Sequence, residues 1–101
     1  MQVFLSYLAE QKLITLTTYL LEHWNKKIQD EFLEKLTSKI QQITNQPQSC
    51  PRSKIINELF KCVVTKQTTF YYRINKIDNI IEIITFFDTR QHPEKLKEDL
   101  K

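Results

Sequence analysis

"TFYYRINKIDNIIEIITFFDTRQHP", residues Thr69 to Pro93, decides how this chain is read. Its side chains first alternate with a period of two: Phe70, Tyr72 and Ile74 fall on one side of an extended segment, and Tyr71, Arg73 and Asn75 on the other. Asp78-Asn79 then reads as a two-residue turn between Ile77 and Ile80. Asn and Asp take the positive-φ positions there, because the chain contains no glycine. The strand that follows, "NIIEIITFF", is apolar on both sides, with Ile81, Ile83 and Phe87 on one and Ile80, Ile84 and Phe86 on the other. A strand of that kind belongs in the middle of a sheet, where both faces are covered. The apolar run then breaks into Asp88-Thr89-Arg90-Gln91-His92-Pro93, which reads as the strand ending and the chain escaping into solvent.

Working outward, "NELFKCVVTK" (57–66) has the same period and sets Phe60, Cys62 and Val64 against Leu59, Lys61 and Val63. The period upstream is helical. Leu13, Leu16, Leu20 and Trp24 recur at three and four within Ala9–Trp24, and Ile28, Phe32, Leu36, Ile40 and Ile43 form the stripe of a second helix that Asn25 can cap. Helices joined this tightly make an antiparallel hairpin. Asn45, able to take a left-handed C-cap, and Pro47 end the second helix, and "NQPQSCPRS" is a loop. The first residues, "MQVFLSY", read as a strand with Val3, Leu5 and Tyr7 on one face. The order is β-α-α-β-β-β, an α+β fold, with no internal repeat.

With 101 residues the chain is expected to form one domain, 1–101, with one layer of helix on one sheet. Apolar residues make up 41% and charged ones 27%, the balance of a folded protein. The net charge of +3 is unevenly placed: residues 1–50 carry five Lys against five acids, whereas Arg52, Lys54, Lys61, Lys66, Arg73 and Lys76 face only Glu58 across residues 51–76. That excess suits an anionic partner, either nucleic acid or an acidic protein segment, or else is an ordinary solvated surface. Cys50 and Cys62 make no disulfide framework, and Cys62 alternates with core residues. No stretch approaches the roughly 18 continuous apolar residues of a membrane helix and no signal peptide is visible, so a cytoplasmic location is expected.

No metal or cofactor is expected. His23 and His92 are far apart and neither belongs to a cluster of ligand spacing, and without glycine there is no phosphate loop. His23, in the last turn of a helix, reads as complementing the dipole. What remains is the basic and aromatic content of the strands. Tyr71 and Arg73 share a face, Lys61 projects from the preceding strand, and Arg90 and His92 follow the last one. Such a set could hold RNA by stacking bases on Tyr and phosphates on Arg and Lys, with His92 as a general acid or base. Alternatively, the tyrosines fill a sheet and the cations are solvated at its edge.

The first strand, "AEQKLITLTTYLLEHWNKKIQDEFLEKLTSKIQQITNQP", the following loop, "FKCVVTKQTTFYYRI" and "IIEIITFFDTRQHPEKL" together resemble the RelE/ParE toxins of bacterial type II toxin–antitoxin systems. The resemblance covers nearly the whole chain and rests on order and spacing rather than on one motif. It implies a helical hairpin packed on one face of a small, twisted, mainly antiparallel sheet and a cognate antitoxin that neutralises the toxin. It also implies one of two activities, inhibition of DNA gyrase in the ParE branch or cleavage of messenger RNA in the ribosomal A site. The nuclease branch's basic cluster fits in part. Lys61 and Arg90 fall on basic positions, whereas Val63, Thr69 and Leu96 stand where a lysine, an arginine and a tyrosine would be expected, and His92 could substitute as acid or base. In-line RNA cleavage needs charge at the scissile phosphate and a proton-transfer group, each worth about a hundredfold or more. The resemblance so weighed favours a ParE-like toxin with no assigned catalytic residue. It would use Arg52, Lys54, Lys61, Tyr71, Arg73, Arg90 and His92 to bind its target or nucleic acid. A nuclease would use Lys61, Arg73, Arg90 and His92. A further alternative is a non-toxic domain that keeps the fold.

Overall fold

The computed structural model describes residues 1–56 and 58–100; Asn57, which opens one predicted strand segment, and Lys101 lie outside the described residues. Strand β1 (Gln2–Leu5) leads into helices α1 (Tyr7–His23) and α2 (Lys26–Asn45), strands β2 (Phe60–Val63), β3 (Thr68–Asn75) and β4 (Ile80–Asp88), and helix α3 (Pro93–Asp99). The sheet has the order β1-β4-β3-β2. β4 is therefore internal, parallel to β1 and antiparallel to β3, which in turn pairs antiparallel with β2. The mainly antiparallel sheet under a helical hairpin is as expected.

Local chemistry sets the boundaries. Ser6 ends β1 rather than lying inside it: its N–H donates to Ile83 O, its hydroxyl donates to Ile84 O at 2.6 Å, and its Oγ accepts from the Ala9 N–H as the N-cap of α1. Tyr7 is thus the first helical residue, 79% exposed, and not a strand residue sharing a face with Val3 and Leu5. Asn25 caps α2 through the Ile28 N–H, as the sequence predicts. Asn45 stays helical, however, and the only non-glycine residue with positive φ among those described is Asn79, at 57°. Asn75 pairs with Ile80, so the β3–β4 connection is a four-residue turn over 76–79 instead of the predicted two-residue one. Asn79 alone takes the left-handed conformation, and Asn75 Oδ1 accepts from the Asp78 N–H.

The two faces of the sheet carry separate cores. Under the hairpin lie Phe32, Leu36 and Ile43 from α2, Phe60 and Cys62 from β2, Phe70 and Tyr72 from β3, and Ile81, Ile83 and Phe86 from β4. The Phe60 and Tyr72 rings stack at 5.2 Å, and Phe70 meets both Tyr72 and Phe86 at 5.8 Å. On the opposite face Leu59, Tyr71 and Phe87 are covered by Leu96 of α3. This division corrects the simple alternation along β4. Tyr71 pairs with Thr85 but Tyr72 with Ile83, so Ile84 is bulged out and every later side chain changes face: Phe86 joins Ile81 and Ile83, and Phe87 goes to the other side with Ile84. The Ser6 hydroxyl satisfies the carbonyl of the bulged residue.

Helix α3 is absent from the predicted order. His92 is its N-cap, with Nδ1 accepting from the Glu94 N–H, and Pro93 occupies its first turn. Asp99 fixes its other end by accepting from Lys12 Nζ on α1 and from Thr85 Oγ1. The segment after the last strand therefore returns to cover the sheet instead of leaving it.

Candidate functional site

The residues singled out from sequence do not converge. Lys61 and Arg73 are exposed on the face that carries α3. Lys61 opposes Tyr71 across the β2–β3 ladder, and Arg73 opposes Glu82. Tyr71 itself, proposed as a stacking platform, is only 4% exposed and lies under Leu96, so its ring is part of the second core and is not displayed. Burial pushes its phenol pKa up from the ordinary value. Arg73 donates through Nε and Nη2 to Glu82 Oε1 at 3.0 and 2.8 Å.

Arg90 lies beyond the far end of β4, folded back on Asp88 through Nε and Nη2, the shortest contact being 2.7 Å. That guanidinium holds the Asp88 carboxyl below the usual carboxylate range, while Asp88 raises the Arg90 pKa further. Glu82 and Asp88 stand near opposite ends of β4, roughly 17 Å apart at the rise of an extended strand. His92 is committed to capping α3. Arg52 and Lys54 sit outside β2, where Arg52 bridges to Phe60 and lays its guanidinium 5.0 Å from the centre of that ring. Of the other three positions, Val63 is 52% exposed, whereas Thr69 and Leu96 are buried. Among the described residues, no group of three or more His, Cys, Asp or Glu could hold a metal ion. No helix among them is long and apolar enough to cross a membrane.

A second surface is apolar in character. Between the hairpin and the α3 end of the sheet runs a groove of about 930 Å³, walled by Leu16 and Tyr19 of α1, Trp24 at its C-cap, Ile28 and Phe32 of α2, and Phe86. Lys12, Glu31, Lys35, Asp88 and Arg90 line its polar parts, and the Tyr19 ring packs on His23 at 4.6 Å. Trp24, counted in the core stripe from its spacing, is 65% exposed because it falls at the C-cap, where the helix has left the sheet. The signal was present. Tyr19, off the predicted stripe and about half exposed, lines this groove, whereas Ile14 and Leu21, exposed to a similar degree, do not.

Residues 3–93 match the family described as the ParE toxin of type II toxin–antitoxin system, parDE. No curated protein matches the chain significantly. Among solved structures, a YoeB/ParE toxin from Agrobacterium tumefaciens superposes with a TM-score of 0.66 at 13% identity, covering 87% of this chain and 98% of that one. The toxin–antitoxin complex RelBE2 from Mycobacterium tuberculosis contains a chain that superposes with a TM-score of 0.53, also at 13% identity, covering 86% of this chain and 95% of that one. At such identity these likenesses establish the shared fold.

Proposed function

Because the chain belongs to the ParE toxin family of type II toxin–antitoxin systems, we propose that it arrests growth by binding an essential target, DNA gyrase being the first candidate, and that a cognate antitoxin neutralises it. One observation carries the non-nucleolytic reading. Arg73 and Arg90, the guanidinium groups a scissile phosphate would need, each face a carboxylate of their own, Glu82 and Asp88, and stand at opposite ends of a strand. With Tyr71 buried between them, a nucleotide has neither a stacking surface nor a convergent cradle there.

The groove supports the antitoxin half of the proposal. Its apolar wall and mixed charges suit an amphipathic segment that orders on binding, with large apolar side chains seated against Tyr19 and Trp24. Solved RelBE2 is itself a toxin–antitoxin complex.

The test uses purified protein with ribosome-bound messenger and, separately, with gyrase. Intact RNA, blocked supercoiling and growth arrest on induction are expected. RNA cleavage that disappears in Arg90→Ala and His92→Ala would replace this reading with the nuclease, and induction without effect on growth would leave only the fold. Co-expression of the adjacent reading frame is expected to yield a complex that Trp24→Ala weakens.

A further inference from the structure

Two thiols are buried side by side in a part of the fold that the proposed function does not use. Cys50, in the loop after α2, is 8% exposed and Cys62, on β2, is 1% exposed, and both belong to the core beneath the hairpin. Cys50 lies close enough to act electrostatically on the Cys62 thiol and on the Tyr72 phenol, whose hydroxyl donates to Pro47 O at 2.7 Å. Gln42 Nε2 approaches Cys50 Sγ at 3.9 Å.

The backbone explains the proximity. Arg52 and Phe60 form an antiparallel bridge, flanked by hydrogen bonds from Ser53 N–H to Leu59 O at 2.7 Å and from Lys61 N–H to Pro51 O at 2.8 Å. Cys50 and Cys62 lie two residues beyond that isolated bridge, one on each segment. The flanking bonds make Arg52 and Phe60 a non-hydrogen-bonded pair, the kind whose opposed Cα atoms approach to about 4.5 Å. That separation lies within the range a disulfide spans. Both cysteine side chains belong to the buried cluster beneath the hairpin.

We propose that Cys50 and Cys62 are a dithiol oxidation site, which a peroxide converts into an intramolecular disulfide that locks the loop carrying Arg52 and Lys54 onto β2. The Cys50 sulfur, nearer the surface, attacks one peroxide oxygen. The O–O bond breaks, giving a sulfenic acid at Cys50 and one water. The Cys62 sulfur then attacks Cys50 Sγ, the S–O bond breaks, and the hydroxyl leaves as a second water with the last thiol proton. Two sulfurs together lose two electrons and the peroxide gains them. Burial, reinforced by Cys50, pushes the Cys62 thiol up to about 12, so it stays protonated at neutral pH and ring closure accelerates about tenfold for each pH unit.

The experiment treats the full chain with hydrogen peroxide and reads intact mass and peptide maps without reductant. Expected are the loss of two hydrogens, a peptide joining Cys50 to Cys62, and a melting temperature raised by about 10 °C that dithiothreitol reverses. Cys62→Ala, which keeps an apolar side chain in the core, should accumulate a dimedone-reactive sulfenic acid at Cys50. Cys50→Ala should leave Cys62 unmodified. Unreacted thiols in the unsubstituted chain, over-oxidation of Cys50 with Cys62 still free, or a link between two chains would each overturn the proposal. Toxicity enters none of these readouts, so the site stands or falls independently of the toxin's target.

Discussion

The sheet has two covered faces, and they are built on different scales. Beneath the hairpin, thirteen of the described residues form one buried cluster under two helices; beneath α3 there are four, under a helix of seven residues. A helix that short has no stability of its own in water, so α3 exists only because it docks. The asymmetry follows from β4. An internal strand apolar on both faces needs a second cover, and the chain supplies it from the segment after the strand. The hairpin side therefore holds the fold, and the α3 side is its low-stability end.

The largest effect expected from this comparison is at Phe70, fully buried and in contact with the Tyr72 and Phe86 rings. Phe70→Ala should cost about 3–5 kcal/mol in urea unfolding, a large part of the stability of a small domain. A loss below about 1 kcal/mol would break the assignment of stability to the hairpin face. Leu96→Ala, on the other face at 2% exposure, should cost about 2–3 kcal/mol and release α3 before the sheet opens. Hydrogen exchange should accelerate in α3 while α2 stays protected.

Tyrosine ionisation compares the two faces directly. Burial raises the phenols of both Tyr71 and Tyr72, with neighbouring Cys50 adding to the effect at Tyr72. A phenol whose pKa is higher in the folded state contributes stability that is fully present below the ordinary value of about 10 and is lost as the pH climbs above it. Alkaline unfolding should therefore begin near that pH. Ultraviolet titration of Leu96→Ala should bring Tyr71 back toward the ordinary value and leave Tyr72 where it was.

How much of this was legible beforehand depends on the range of the interaction. Period and capping residues act locally, and Asn25, the α2 stripe and the alternations of β2 and β3 appear where the sequence places them. The bulge at Ile84 is not local. It depends on Ser6 reaching the Ile84 carbonyl from the other end of the chain, and one inserted position was enough to exchange Phe86 and Phe87 between faces. Helix α3 was locally encoded by His92, Pro93, Leu96 and Leu100, but a basic cluster read as a binding surface drew attention from a cap. The groove's sign in the sequence is Tyr19, an aromatic residue off the core stripe of α1. Tyr71 alternates with Arg73 as a displayed residue would, and only the return of α3 removes it from solvent.

The smaller effects lie at the ion pairs. Asp99 joins α3 to both α1 and the sheet through Lys12 and Thr85, with its side chain 19% exposed, so Asp99→Ala should cost about 1 kcal/mol, all of it on the α3 side. Arg73 and Glu82 differ: their side chains are 60% and 33% exposed, and solvent screens the pair. Arg73→Ala should change stability by about 0.5 kcal/mol or less. The smallness of that number gives Arg73 its value as a probe. A guanidinium that contributes little to folding can be removed without disturbing the fold, so its loss tests binding alone. If Arg73→Ala weakens toxicity or target binding while unfolding remains unchanged, the open end of the α3 face belongs to the interaction surface. If it destabilises by 2 kcal/mol or more, the pair is structural, and the binding role shifts to the groove on the hairpin side.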